Sequence, residues 1–411
     1  MKLSEELKWR GFVNQTTLKD ITSLDQNKWV CYHGFDASAD SQTIGNLAAM
    51  MLDKVFTRHG HEMILLAGGA TSLIGDPGGK DSERPLQPEE AITKNVDNAE
   101  KQLGKVFKDD NFTLVNNLDW FKDMKLIDFL RDTGKHFGMS TLVQRDYIAQ
   151  RIGRGGVGIS FTEFSYTLLQ GYDFLHLNEK YGVNLQLAGS DQWGNALSGV
   201  DLVRKVRDQE VHVITLPLII NKATGKKFGK SEDGAVWLDE NRTSVYQFYQ
   251  FWLNVDDAGV GDYLKVYTDI MPEEYDQLME EFRENPAGRS AQRKLAYEVT
   301  KLVHGAERAD SAVAVTEVLF GGKQVSELEK KDVAMLAKEI PTIASGKQLI
   351  DILVETNLAS SKGEARRFIE ANAVSVNGKK INEDQTIEQM ALVKKGKNSF
   401  ALVCDESFYS S

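Results

Sequence analysis

Apolar residues recur along the chain in two periods, and the first third of it shows both. Trp29–Gly34 is a short apolar run of the kind that forms a strand. Ile44, Leu47, Ala48, Met51, Leu52, Val55 and Phe56 then fall at steps of three and four, one face of a helix that Gly60 ends. Met63–Ala67 is a continuous apolar strand. Strand, amphipathic helix and buried strand make a βαβ unit, which predicts an α/β domain built on a doubly wound parallel sheet (Rossmann-like). Thr113–Val115, Leu185–Leu187 and Val211–Ile220 are further strand candidates with helical patterns between them. Ligands of such a sheet bind beyond the carboxyl ends of its strands, so Asp36–Asn46 should lie there.

The pattern changes from about Ser244, where charged amphipathic helices take over to Val318. It predicts an all-helical domain over residues 241–325 after a sheet domain over 1–240, the latter with an inserted connective region at about 118–160. Residues 326–345 follow Gly321-Gly322, hold a Lys/Glu run and Pro341, and read as a linker. Residues 346–411 give helical patterns near 347–356 and 362–372, an Asn377-Gly378 hairpin signal and an alternating strand at Ser399–Val403. That is a small α+β domain.

Composition adds exclusions. The chain has 411 residues, enough for two or three domains, and no apolar run near the ~20 residues of a membrane span. Its start mixes charges and shows no export or transit pattern. Two distant cysteines, Cys31 and Cys404, argue against a disulfide framework and for a cytoplasmic location. The net charge is −11, yet residues 346–411 carry 9 basic and 9 acidic side chains, so any RNA surface must be a local basic patch.

Several motifs compete for chemistry. Gly153–Gly158 spells G-x-G-x-x-G but follows a helical pattern, against a dinucleotide loop. Gly229-Lys230-Ser231 ends like a phosphate loop, but Thr224 stands where the first glycine is needed. His59 and His61 lack companion ligands and fit a solvated helix end. Lys227-Phe228-Gly229-Lys230-Ser231 remains as a glycine-hinged lysine loop able to close over negative charge growing on a ligand. A solvated lysine-rich turn is the competing reading of those residues alone. Tyr166, Gln170 and Asp173 share one helical face and fit a polar pocket or a buried structural network. Lys362, Arg366 and Arg367 share another face, suited to RNA phosphates or simply solvated.

Ser41-Gln42-Thr43-Ile44-Gly45-Asn46 and Lys227–Ser231 resemble the paired HIGH and KMSKS signatures of class I aminoacyl-tRNA synthetases. Tyr32–Ser41, Gly68–Pro77, Asn117–Phe121, Ser160–Phe174 and Gly189–Asn195 narrow the resemblance to the bacterial-type tyrosyl-tRNA synthetases. It spans roughly residues 28–404. The tail resembles an S-four-type RNA-binding domain. The resemblance implies ligation of L-tyrosine to tRNA(Tyr) through a tyrosyl-adenylate, with ATP and Mg2+, by a homodimer; no protein metal cage is implied. It assigns Thr43, Asn46, Lys80, Arg84, Lys227, Lys230 and Ser231 to catalysis, with Thr43 toward the terminal phosphates and Asn46 on the ribose side. Tyr32, Asp36, Asp76, Tyr166, Gln170, Asp173 and Gln192 go to tyrosine, and Gly34, Asp36, Ser38, Gly45, Gly189, Asp191 and Lys230 to ATP. Arg204, Lys205 and Arg207, with Lys362, Arg366 and Arg367, go to tRNA. Thr43 and Asn46 replace both histidines of HIGH, the largest departure. An inactive RNA-binding relative and a tryptophan enzyme are the competing functions.

Overall fold

The computed structural model describes all residues except 77–86, 109, 145, 154, 232–233, 406–407 and 409–411, and of Asp146, Tyr147, Lys230 and Ser231 only the backbone. The chain divides into two compact units, residues 1–243 with 254–295, and residues 244–253 with 296–411.

The first unit is built on a six-stranded sheet: β1 (Gln15–Thr16), β2 (Val30–Phe35), β3 (Glu62–Ala67), β4 (Phe112–Asn116), β5 (Leu185–Gly189) and β6 (His212–Leu216), in the order β1-β6-β5-β2-β3-β4. Strands β2 to β6 pair in parallel, as the βαβ pattern requires. The edge strand β1 is antiparallel to β6 and is not foreseeable from the residues, because two positions cannot display a period. β6 stops at Leu216, short of the expected Ile220, since Pro217 has no N–H for a ladder. The strand order turns back between β2 and β5. Their carboxyl ends therefore flank a crevice.

Among the helices of this unit are α1 (Leu3–Arg10), α2 (Ile44–Arg58), α3 (Gly69–Ile74), α4 (Glu89–Val106), α5 (Phe161–Tyr181) and α6 (Trp193–Arg207). Alternation along β2 sends Tyr32 and His33 to opposite faces. Tyr32 meets Phe174 of α5 edge-on at 5.0 Å, while His33 Nδ1 lies 2.8 Å from Asp53 Oδ2 of α2. Phe174 is fully buried, worth ~2–3 kcal/mol of apolar burial, and a Cβ on Gly199 would come within 2.8 Å of it. A glycine is what lets α6 cross α5 so closely. The run Gly153–Gly158 follows the helix Asp146–Ile152, and Arg151 ties it down by donating to Gly158 O (2.8 Å) and to Glu163 (2.6 and 2.9 Å). His59 bonds Glu6 Oε2 at 2.8 Å, a partner on α1 and not a metal companion.

In the second unit a five-stranded sheet runs Lys379–Lys380, Val374–Val376, Ala391–Lys395, Ser399–Cys404, Thr342–Ala344. Asn377 (φ 50°) and Gly378 (φ 79°) make the turn that pairs Val376 with Lys379, the hairpin expected from those two residues. The linker expected over 326–345 is corrected by the structure. That stretch holds a helix, Lys330–Glu339, capped where Glu329 N–H donates to Asp332 (3.1 Å), and a strand, Thr342–Ala344, parallel to Ser399–Cys404. Leu328, Val333 and Leu336 pack in one apolar cluster with Val315, Leu319, Leu392 and Leu402. Residues expected in the helical domain, the linker and the tail thus share a core. The helix's apolar residues form one unbroken run, Val333–Ala337, too short between flanking charges to display a helical period.

Candidate active site

Burial draws the first part of the site. Tyr32 is 1% and Asp173 2% exposed. Asp173 accepts from Trp120 Nε1 (3.0 Å) and Asn117 Nδ2 (3.2 Å); Asn117 also donates to Thr71 and accepts from Ala70 N–H of α3. Burial pushes the Asp173 carboxyl up to about 8, against the pull of those two hydrogen bonds. Burial, and then the nearby Asp173, raises the Tyr32 phenol well above its ordinary value, so it stays a neutral donor. Three polar atoms around this spot are buried without a hydrogen-bond partner among the described residues: Tyr32 Oη, Gln170 Oε1 and Gln186 Oε1. Gln186 of β5 is register-paired with Tyr32 of β2, so the two side chains share a face of the sheet. Tyr166, half-buried, sits one turn before Gln170 on α5. Buried polar atoms normally find partners, and several left open near a carboxyl suit a polar ligand.

A second cluster adjoins the β5 end. Gln192 donates to Asp76 Oδ2 (2.6 Å) and accepts from Asn195 Nδ2 (3.3 Å), whose Oδ1 takes the Thr167 hydroxyl (2.9 Å). That chain leaves Asp76 a fixed carboxylate beyond the sheet, fit for an ammonium group. Asp191 is exposed directly after β5. Asp36, directly after β2, accepts from Ser38 N–H (2.9 Å), Ser38 Oγ (2.9 Å) and Ser72 Oγ (3.0 Å). A carboxylate so held cannot swing, and it presents a fixed charge at the crevice.

The third part joins two distant segments. Thr43 is the N-cap of α2, and its N–H and hydroxyl both donate to Asn46 Oδ1 (2.9 and 2.8 Å). The Asn46 amide NH2 enters no hydrogen bond among the described residues, and the helix N-terminus favours anions. Ile44 N–H donates to Val236 O, and Val236 N–H to Gly229 O. Gly229 has φ +103°, and a Cβ there would sit 3.1 Å from Ile44 and 3.7 Å from Gly45 N. The glycine of the lysine loop therefore lies on the head of α2. Phe228 anchors the loop by stacking on Tyr263 at 4.1 Å, while Lys227 is exposed.

These parts match a known pattern of chains. Residues 24–321 fit the family model of class I tRNA synthetases (W and Y), and residues 332–403 that of the tyrosine–tRNA ligase SYY-like C-terminal domain. The tyrosine–tRNA ligase of Escherichia fergusonii is 43% identical over 98% of both chains. The chain belongs to the class I tRNA synthetases of the W and Y type. Two solved structures are similar as well. The C-terminally truncated mitochondrial tyrosyl-tRNA synthetase of Aspergillus nidulans has TM-score 0.70 and 29% identity, covering 78% of this chain and 94% of its own. That of Coccidioides posadasii has TM-score 0.68 and 30% identity, covering 76% and 91%.

Of the residues that the resemblance to this synthetase family implied, Tyr32 lies near Asp173, Tyr166 and Gln170 lie on the same helix as Asp173, and Asp76 pairs with Gln192. Gly34 and Gly189 lie at the carboxyl ends of β2 and β5, Asp36, Ser38 and Asp191 follow those ends, and Gly45 opens α2. Lys80 and Arg84 lie outside the described residues, as do the side chains of Lys230 and Ser231. Arg204 and Lys205 are exposed on α6, where Arg204 pairs with Asp201 and Lys205 donates to His136 O; Arg207 is half-buried. Lys362, Arg366 and Arg367 are exposed on the helix Lys362–Glu370. Residue patterns missed the parts played by Asn117, Trp120 and Gln186. Gln186 had a signal, being the one polar residue in the apolar run Val183–Ala188 apart from Asn184. Asn117 and Trp120 fall in the block Asn117–Phe121 that carried the resemblance, but nothing there pointed to Asp173, which they meet across more than fifty residues.

Proposed function

We propose that this protein ligates L-tyrosine to tRNA(Tyr) in two steps, through a tyrosyl-adenylate, releasing pyrophosphate and AMP. The observation that carries the reading is the buried Tyr32–Asp173 pair with open acceptors and donors around it. A phenol fits there, donating to Asp173 and accepting from Tyr32, whereas phenylalanine would leave both groups unpaired. The Asp76–Gln192 pair suits the ammonium group, with Tyr166 and Gln170 beside it. ATP would lie across the carboxyl ends of β2 and β5, its ribose toward Gly189 and Asp191, its phosphates at Ser38, Gly45, Thr43 and Asn46.

The tyrosine carboxylate oxygen attacks the α-phosphorus of ATP as the bond to the bridging oxygen breaks, and pyrophosphate leaves with the electron pair. Negative charge grows on the leaving oxygens, where Asn46 NH2, the α2 N-terminus and the cationic groups of Lys227, Lys230, Lys80 and Arg84 act on it, with Ser231 on the same loop. Mg2+ enters with ATP as its counter-ion. A ribose hydroxyl of the tRNA end then attacks the activated carbonyl, and AMP departs. No side chain forms a bond to substrate, so positioning and charge do the catalysis.

Arg204, Lys205, Arg207, Lys362, Arg366 and Arg367 supply phosphate contacts for the tRNA. A homodimer fits the large apolar side chains exposed within residues 126–161, among them Leu126, Ile127, Val157 and Phe161 (69, 69, 69 and 74% exposed). Two buried, unpaired cysteines suit the cytoplasm, and no helix among the described residues is long and apolar enough to cross a membrane. Tyrosine-dependent ATP–pyrophosphate exchange tests the activity. Exchange driven equally by phenylalanine would remove the pocket assignment, and its absence with tyrosine bound would favour an inactive RNA-binding relative.

A further inference from the structure

Helix α4 grips the turn before α2 with a row of side-chain amides. Asn95 Nδ2 donates to Ala37 O (2.9 Å), and Asn98 Nδ2 to Asp40 O (3.2 Å). Gln102 Nε2 donates to Ser41 Oγ (3.0 Å) while its Oε1 accepts from Gln42 N–H (2.8 Å). Just ahead of the helix, Gln87 Nε2 donates to Ser38 O (2.7 Å). Residues 95, 98 and 102 are spaced by three and four, so they share one helical face. Asn95, Gln102, Ser41 and Gln42 are all buried.

The Ser41 hydroxyl is saturated: it donates to Gln42 O (2.9 Å) and accepts from Gln102 and from Asp239 N–H (3.1 Å). From the other side, Leu238 N–H donates to Gln42 O (2.9 Å) and Arg242 pairs with Asp40 (2.6 Å). Covering this turn would have needed only apolar contact. Burying amides and spending them one by one on the backbone between Ala37 and Gln42 costs desolvation and fixes the turn's position instead.

We propose that the amide row of α4 is a positioning device for the nucleotide end of the site. It sets the height of the turn from Asp36 to Thr43, so that Ser38, Asn46 and the N-terminus of α2 meet the phosphates of ATP in register. Asn95, Asn98 and Gln102 touch no substrate themselves. The proposal rests on the tyrosine-activating reading, and its test separates the two.

Gln102→Met keeps length and bulk but loses both hydrogen bonds. It should raise the KM for ATP in pyrophosphate exchange about tenfold, the scale of one or two buried hydrogen bonds, and lower kcat. Tyrosine affinity should stay at the parent value. Gln102→Glu keeps an acceptor for Gln42 N–H and should recover part of the loss. Hydrogen–deuterium exchange over residues 37–46 should quicken in Gln102→Met, with the strands β3 and β5 unchanged. Unchanged ATP KM together with unchanged exchange over 37–46 overturns the proposal. So does an equal fall in tyrosine and ATP affinity with a lowered Tm, which would make the row a fold support only. A parent protein without pyrophosphate exchange overturns the functional reading, and the deuterium measurement then decides the amide row alone.

Discussion

Asp173 holds a buried carboxyl to which, among the described residues, Trp120 and Asn117 donate. Its pKa near 8 in the folded chain lies far above the ~3.9 of an unfolded aspartate. Between those values the unfolded chain has lost a proton that the folded chain keeps. Raising the pH through this window therefore favours unfolding, and the stability this group contributes is whole below about pH 4 and gone above about pH 8. Asp173→Asn removes that dependence. Thermal melts should show the variant gaining on the parent from pH 5 to pH 8, and a constant gap would mean the carboxyl is already ionised in the folded protein. Tyrosine binding should follow the same proton. A phenol donating to the carboxylate favours its ionised form, so binding near neutral pH should release a proton, and affinity should rise by up to about tenfold per pH unit below pH 8. Titration in buffers of different ionisation enthalpy reads that release. The face of Tyr166, Gln170 and Asp173 was legible as a spacing of four and three, but its two readings, pocket or buried network, were not separable from it. The unpaired oxygens of Tyr32 and Gln170 are tertiary facts, and they favour the pocket.

At the scale of elements, the head of α2 and the lysine loop act as one piece. Thr43 gives its hydroxyl to Asn46 Oδ1, so the donor at this helix end without a partner among the described residues is the Asn46 amide. Asn46→Ala should slow adenylate formation by ~10²–10³, the usual cost of one preorganised donor, and Thr43→Ala by less, since it only unlocks the Asn46 rotamer. Presteady-state rates with tyrosine affinity unchanged would bear this out; a larger loss in Thr43→Ala would return the direct role to Thr43. Gly229 is the second lever. At φ +103° and against Ile44, any Cβ is strained, so Gly229→Ala should lift the loop from α2 and cut the activation rate about tenfold without moving the tyrosine Kd. Neither coupling was readable from residues 41–46 and 227–231 taken separately. The βαβ period located both ends of the crevice; the contact between Gly229 and α2 needed nearly two hundred residues of chain to fold between them.

For the molecule as a whole, the balance of charge in residues 346–411 and the shared core of the second unit decide how RNA binding can be tested. Cutting the chain at residue 346 would be a clean removal of an RNA-binding tail only if residues 326–345 were a linker. It would instead strip Leu392, Phe400 and Leu402 from Val315, Leu319, Val333 and Leu336, exposing the helices left behind. Such a truncation should lower the melting temperature of the remaining second-unit residues and bind hydrophobic dyes, so its loss of tRNA charging would prove little. Charge reversal is the sharper experiment. Lys362, Arg366 and Arg367 are exposed on a helix whose buried residues are Ala365 and Ile369, so changing all of them to Glu leaves the core untouched. The triple variant should keep parental tyrosine-dependent pyrophosphate exchange and lose tRNA affinity. If these side chains meet phosphates, the slope of log affinity against log salt should shrink by about one for each contact removed. An unchanged slope with unchanged affinity would make that face solvated surface and leave the RNA contacts to Arg204, Lys205 and Arg207.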